Sequence, residues 1–265
     1  MLKVKDTPKH LGACISGTYE DLDALHEALF DVIGTGESYR DGYDGKRTRM
    51  AGTLYDIRHA GMGDRGIEMI DSGVNPDCKG PDGTPLPKTS VVFSVPVLWP
   101  ELAFFALATD DMAMNACTPK GLKDLCKGLP KEAAEAVQDR MESSGGLVKF
   151  FAALVWQEMT NVIGRRRAAR IHRNDLFGSN MIFSGNCDRV MPHQYVDLLN
   201  IRYLKEAPEK RLMSLGKVAR YLCDPYADKE YKPFLGALAD AARKYDVPED
   251  EIEAYRDEYP EEFDW

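Results

Sequence analysis

Residues Leu2 to Ile33 read LKVKDTPKHLGACISGTYEDLDALHEALFDVI, and the change of period inside this run points to the fold class. Its first half reads as two short strands, Leu2 to Lys5 and Leu11 to Ser16, the second ending at Gly17. From Tyr19 the spacing changes: Leu22, Leu25, Leu29 and Ile33, with Ala28 and Val32, make one apolar stripe of helical period. Thr18 is placed to cap that helix and Gly34 to stop it. Strand pair followed by amphipathic helix is the opening of a mixed fold rather than of a pure bundle.

Working outward, Met50, Leu54 and Ile57 recur at spacings of four and three, which predicts a helix over Thr48 to Ala60, ended by Gly61 and Gly63. Ile67 to Ile70 is readable as a strand or as one helical turn, and Asn75 to Lys88, with four prolines, as a long loop. Val91 to Val95 is the most strand-like run of the chain. Pro100 suits the first position of a helix over Glu101 to Ala116, with Leu102, Phe105, Ala106 and Met112 or Ala113 facing inward. Shorter helices are expected at Lys120 to Lys127 and Lys131 to Met141, and the longest begins at Ser144 or Gly145. Between Leu147 and Trp156 its only charge is Lys149, so a helix at about 145–164 is expected to be the central buried one. Amphipathic helices follow at His193 to Lys205, Glu209 to Leu222, Tyr231 to Tyr245 and Glu249 to Arg256. The expectation is an α+β fold, predominantly helical, with a small N-terminal sheet of two or three strands packed on a helical body. One domain over 1–265 is expected, with a boundary near Gly145 as the alternative.

Composition narrows the class. A chain of 265 residues with 44% apolar content buries a full core. Val91 to Ala108, the longest nearly uncharged run, is interrupted by Pro96, Pro100 and Glu101, and no basic apolar leader opens the chain, which predicts a soluble protein without a membrane span or export signal. The six cysteines (Cys14, Cys78, Cys117, Cys126, Cys187, Cys223) form no CxxC pair and no zinc-ligand spacing. Reduced thiols in a cytoplasm are expected, and no metal or cofactor. The net charge of −9 has one source: Asp246 to Trp265 holds ten acids against one base, Arg256, which is the whole surplus. An acidic end segment therefore sits beside a neutral body with no global field for nucleic acid.

Tyr55 to Gly66, YDIRHAGMGDRG, holds the densest site chemistry. Gly61, Gly63 and Gly66 spell GxGxxG, but that fingerprint must follow a strand and open a helix, and here a helical stripe precedes it. The glycines read instead as a helix cap and a sharp turn. Around that corner Tyr55, Arg58, His59, Asp64 and Arg65 are candidate catalytic or anion-binding groups, a His flanked by a carboxylate and a guanidinium. The alternative is that Asp56 or Asp64 pairs with Arg58 or Arg65 simply to hold the turn.

Arg165, Arg166, Arg167, Arg170 and Arg173, with His172 among them, form a candidate patch for an anion or an acidic partner at the exit of the long helix. Arg167 and His172 also have the Arg-x4-His spacing of metal-independent ribonucleases of the HEPN class, although an arginine run meets such a spacing in several registers at once. His193 and Asp197 lie four apart and would supply two metal ligands without a third. No GxSxG elbow is present, and Gly45, Lys46, Arg47 do not complete a phosphate-binding loop.

The runs LKVKDTPKHLGACISGTYEDLDALHEAL, YDIRHAGMGDR, FSVPVLWPEL, VDLLNIRYLKEAPEKRL and YPEEFDW, in order over nearly the whole chain, resemble a family of small bacterial cytoplasmic proteins defined only as a domain of unknown function. That resemblance implies a bacterial source and one continuous domain that includes the acidic ending. It carries over no catalytic residue, and the arginine run is not part of the pattern. Two functions stay open: a non-catalytic binding or regulatory protein, or a hydrolase or metal-independent ribonuclease using His59 or His172 with neighbouring arginines. A protein partner or an anionic ligand fits the first, and RNA the second.

Overall fold

The computed structural model describes residues 1–34, 44–75, 77–169, 171 and 191–265. In chain order the strands and α-helices are β1 (Lys3–Asp6), β2 (Gly12–Gly17), α1 (Tyr19–Ile33), α2 (Asp44–Gly61), β3 (Gly66–Asp71), β4 (Thr89–Leu98), α3 (Trp99–Ala116), α4 (Pro119–Leu125), α5 (Lys131–Ile163), α6 (Tyr195–Leu204), α7 (Pro208–Cys223) and α8 (Tyr231–Tyr245). Helix predominates, and the strands form one antiparallel sheet in the order β1-β2-β4-β3, an α+β fold.

The opening stretch folds as its period dictates. Thr18 and Asp21 make a reciprocal capping box at the start of α1, and Leu22, Leu25, Ala28, Leu29, Val32 and Ile33 are its buried residues. Ala13 and Ile15 of β2 lie opposite Val97 and Val95 of β4 and face the helices. Cys14 and Ser16 alternate onto the other face and are half-buried.

Among the described residues the sheet has four strands rather than two or three. Ile67 to Ile70, undecided by its own period, becomes part of β3 because β4 supplies a ladder: Ile67 pairs with Phe93 and Met69 with Val91. A run of six residues has too few side chains to choose a state locally, and backbone pairing decides it.

The long helix also differs from expectation. Lys131 to Ile163 is one continuous α5 that passes through Gly145 and Gly146 without a break. A Cβ on Gly145 would sit 2.7 Å from the Cys117 sulfur, so this glycine provides a close approach between α5 and the end of α3. Nor is α5 the element buried all round. Its Val148, Phe151, Ala152 and Val155 are buried, whereas Phe150 is 45% exposed. That position belongs to α3, where Leu102, Ala103, Phe104, Phe105, Ala106, Ala108 and Thr109 are all buried. The α3 helix packs against α5, α1, α6 and α7. Phe105 meets Phe151 edge-on at 6.1 Å, and the Thr109 hydroxyl, with no water to reach, donates to the Phe105 carbonyl at 2.8 Å.

The end segment is not an amphipathic helix over Glu249 to Arg256. It forms two single 3-10 turns, Glu249–Glu251 and Arg256–Glu258, and Tyr255 between them takes a left-handed φ of 64°. Its acids lack an apolar stripe to bury, so side chains anchor it to the body: Gln194 donates to the carbonyls of Glu249 and Ile252, Lys205 pairs with Glu258 at 2.7 Å, and Lys9 pairs with Asp264. No helix among the described residues is long and apolar enough to cross a membrane.

Candidate functional site

The glycine corner is a helix terminus. Gly63 has φ +88°, its N–H donates to the Ala60 carbonyl, and the Asp64 N–H donates to the His59 carbonyl, the two bonds of a Schellman cap closing α2. The chain then enters β3, so the order is helix to strand, the reverse of a dinucleotide fingerprint.

Side chains at the corner pair locally. His59 Nδ1 lies 2.8 Å from Asp64 Oδ2, and the His59 ring lies over Tyr55 with centroids 3.9 Å apart. Arg65 turns away to Asp56 Oδ1 at 2.7 Å, with a second bond to the Asp64 carbonyl. The predicted group does meet, but as two pairs on a partly exposed turn. Both arginine and carboxylate there stay wet, so each pair is screened and orients the turn rather than storing much energy.

Arg58 is the exception. One residue along a helix is a rotation of about 100°, so Arg58 leaves α2 on a different side from His59. It lines an open groove of about 410 Å³ between α1 and the end of α2, to which Arg140 of α5 also contributes. Tyr19, Phe30 and Met62 give the groove an apolar body, while Asp23, His26 and Glu27 add polar groups along α1. Arg140 is held by Asp31, with Nε 2.7 Å from Oδ2, and reaches Glu27 at 3.5 Å. Burial pushes the His26 imidazole below its ordinary value and Arg58 pushes it further, against the opposing pull of Glu27 and Asp23. At neutral pH the groove therefore presents a neutral ring, the Arg58 cation and the Asp23 carboxylate over an apolar floor.

A second polar centre is buried and closed. Arg49 of α2 binds Glu101 of α3 through Nε, 2.9 Å from Oε1, and through an Nη2 contact to Oε2. It also binds both oxygens of Asp197 on α6, at 2.9 and 3.0 Å. Tyr259 donates to Asp197 at 2.7 Å, and Asn200 donates to Glu101 at 2.9 Å and to the Tyr259 hydroxyl at 3.0 Å. The two carboxylates hold the Arg49 guanidinium protonated well above its ordinary range despite its burial, and burial together with Asp197 raises the Tyr259 phenol. This centre joins α2, α3, α6 and the end segment. Glu101 is thereby committed to Arg49 and does not join His59, Asp64 and Arg65. His193 and Asp197 are likewise not a ligand pair: Asp197 is bound by Arg49 and Tyr259, and the His193 ring packs against Gly45. Among the described residues no cluster of three or more His, Cys, Asp or Glu has a metal-holding arrangement.

Arg165, Arg166 and Arg167 are exposed on the helical residues 165–169 that follow Gly164. Arg170, His172 and Arg173 lie outside the described residues, and with them the Arg167–His172 spacing.

Residues 2–265 match the family described as Domain of unknown function (DUF6904). The chain belongs to the DUF6904 family. Neither a curated protein nor a solved structure matches this DUF6904 chain.

The sequence pattern marks the 55–66 segment and Arg58 within it, but not the groove. Asp23, His26, Phe30 and Tyr19 look like the outer face of an ordinary amphipathic helix. They become a wall only because α2 packs beside α1. Arg49 has no local signal for the same reason, since its partners lie 52 and 148 residues away.

Proposed function

We propose that this DUF6904 protein is a non-catalytic binding protein of the bacterial cytoplasm whose ligand site is the groove between α1 and α2. The ligand class that fits is a small zwitterion with an apolar body, an amino acid or a short peptide. The observation that carries the reading is the groove's composition: the Arg58 cation and the Asp23 carboxylate stand on opposite helices above Tyr19, Phe30 and Met62. Such a concave apolar floor with a few convergent polar groups is the usual form of a small-ligand site. An anionic group lodges against Arg58 and the His26 ring, an ammonium group against Asp23 and Glu27, and the ligand's side chain covers the floor. Cys14, Cys78, Cys117 and Cys126 are free thiols, in keeping with a reducing compartment.

Thermal shift and titration calorimetry against amino acids and di- and tripeptides test the site. A fitting ligand raises the melting temperature by mass action. Arg58→Ala and Asp23→Ala each remove that response, whereas His59→Ala, on the other side of α2, leaves it unchanged. A flat response across the whole panel sinks the proposal. The His59–Asp64 bond keeps a hydrolytic alternative alive, because a carboxylate on Nδ1 orients an imidazole as a base. Turnover of any panel compound that is lost in His59→Ala decides for that alternative.

A further inference from the structure

Among the described residues the β3 strand lies at the end of the sheet order and pairs with β4 alone, which leaves the other side of its backbone ladder open. All six of its residues are exposed, with Met69 at 73% and Ile67 at 58%. Edge strands of stable monomers carry lysines, prolines, bulges or a covering element that prevents further pairing. The stretch Gly66 to Asp71, GIEMID, has neither lysine nor proline, and its only charges are the acids Glu68 and Asp71.

We propose that β3 pairs with β3 of a second copy of this chain, extending the four-stranded sheet into one of eight across a two-fold axis. The strand's own sequence argues for this occupant. In an antiparallel pair about a two-fold perpendicular to the sheet, opposite residues share a face, so the two position numbers that meet must sum to an even value. With the axis at Glu68, Ile67 lies opposite Met69 of the second copy, and Arg65, the residue just before β3, lies opposite its Asp71, so that its guanidinium exchanges Asp56 for the partner's carboxylate. Both pairs occur twice by symmetry and on the same face, giving two apolar contacts flanked by two opposite-charge contacts. Moving the axis to Ile67 sets Arg65 against Met69, and moving it to Met69 sets Ile67 against Asp71. The Glu68 register alone matches charge with charge and apolar with apolar on that face.

This register carries one built-in penalty. The two Glu68 side chains face each other on the opposite surface of the sheet, and like charges directly opposite weaken a pair. A six-residue strand pair also buries much less than a standard interface, so the dimer is a weak one that forms in the micromolar range rather than the nanomolar.

Sedimentation equilibrium and light scattering on the full chain, over roughly 10 to 500 micromolar, test the proposal. The expected result is a concentration-dependent monomer–dimer equilibrium. Met69→Lys abolishes it while leaving the melting temperature of the monomer unchanged, since that side chain is mostly in water. Arg65→Asp weakens dimerisation at least tenfold, and adding Asp71→Arg restores it. Glu68→Gln tightens the dimer. A chain that stays monomeric throughout overturns the proposal. So does a dimer indifferent to Met69→Lys, or a charge-swapped double variant no tighter than the single one.

Discussion

Arg49 lies between Glu101 and Asp197, with Nε 2.9 Å from one carboxylate and Nη1 2.9 Å from the other. Its side chain is 11% exposed. Three helices therefore meet on one planar cation, and the fork geometry of a guanidinium is what allows two carboxylates to be served at once.

Arg49→Ala leaves both carboxylates buried without their counter-charge. We expect a loss of about 3–5 kcal/mol in urea unfolding. Arg49→Lys recovers only part of it, because an ammonium cannot bind both carboxylates bidentately. Equal stability of Arg49→Lys and the parent chain contradicts this role.

Tyr259 ties the acidic end segment to the same centre through Asp197 and Asn200. Tyr259→Phe keeps the ring and removes both bonds, at an expected cost of about 1–2 kcal/mol. Hydrogen exchange then speeds up over 246–265 before it does in α3. Uniform acceleration over the chain contradicts a local anchor.

Phe150 and Phe151 are neighbours with opposite fates on α5. Phe151 is fully buried against Phe105, so Phe151→Ala costs about 3–5 kcal/mol. Phe150→Ala, at a half-exposed position, costs less than about 1 kcal/mol. Similar midpoints for the two variants in denaturant titration contradict the packing of α5 by one face.

Gly12 carries no side chain because there is no room for one: a Cβ would lie 2.0 Å from the Val97 carbonyl and 2.8 Å from the Trp265 ring. Val97 belongs to β4 and cannot retreat without breaking the β2–β4 ladder. Gly12→Ala is expected to destabilise by on the order of 3 kcal/mol or more, read as a fall in melting temperature. A variant as stable as the parent chain shows that the strands can separate locally.

His193 supplies a pH dependence. Burial lowers its imidazole below the ordinary 6.5, Arg49 and Lys46 lower it further, and Asp197 and Asp250 oppose them. The folded state thus binds this proton less readily than the unfolded chain. Its contribution to stability is complete above pH 6.5 and is lost as pH falls through the lowered folded value. His193→Gln flattens that part of the stability profile, measured by denaturant titration between pH 7 and pH 5. An unchanged slope in the variant assigns the dependence to other groups.

Local sequence was sufficient wherever one element carries its own signal. The α1 stripe with Thr18 before it, the strand at Val91 to Val95 and the cap at Gly61 and Gly63 are each legible, because period, capping and backbone freedom act over a few residues. Legibility fails where two segments decide together. Gly145 looks like a helix break, yet α5 runs through it, since the missing Cβ makes room for Cys117. Ile67 to Ile70 has no state of its own until β4 lies beside it.

The candidate site divides along the same line. That His59 and Asp64 meet is contained in Tyr55 to Gly66, because five residues and a glycine turn hold them within reach. That Arg58 faces a groove and His59 does not follows only from which side of α2 packs on α1, a choice made by burying Met50, Leu54 and Ile57. The pairing of Arg49 with Glu101 and Asp197 is decided by the tertiary structure alone. Charge pairs across such separations depend on the apolar burial that holds α2, α3 and α6 together, and the sequence pattern of one segment carries no record of its distant partners.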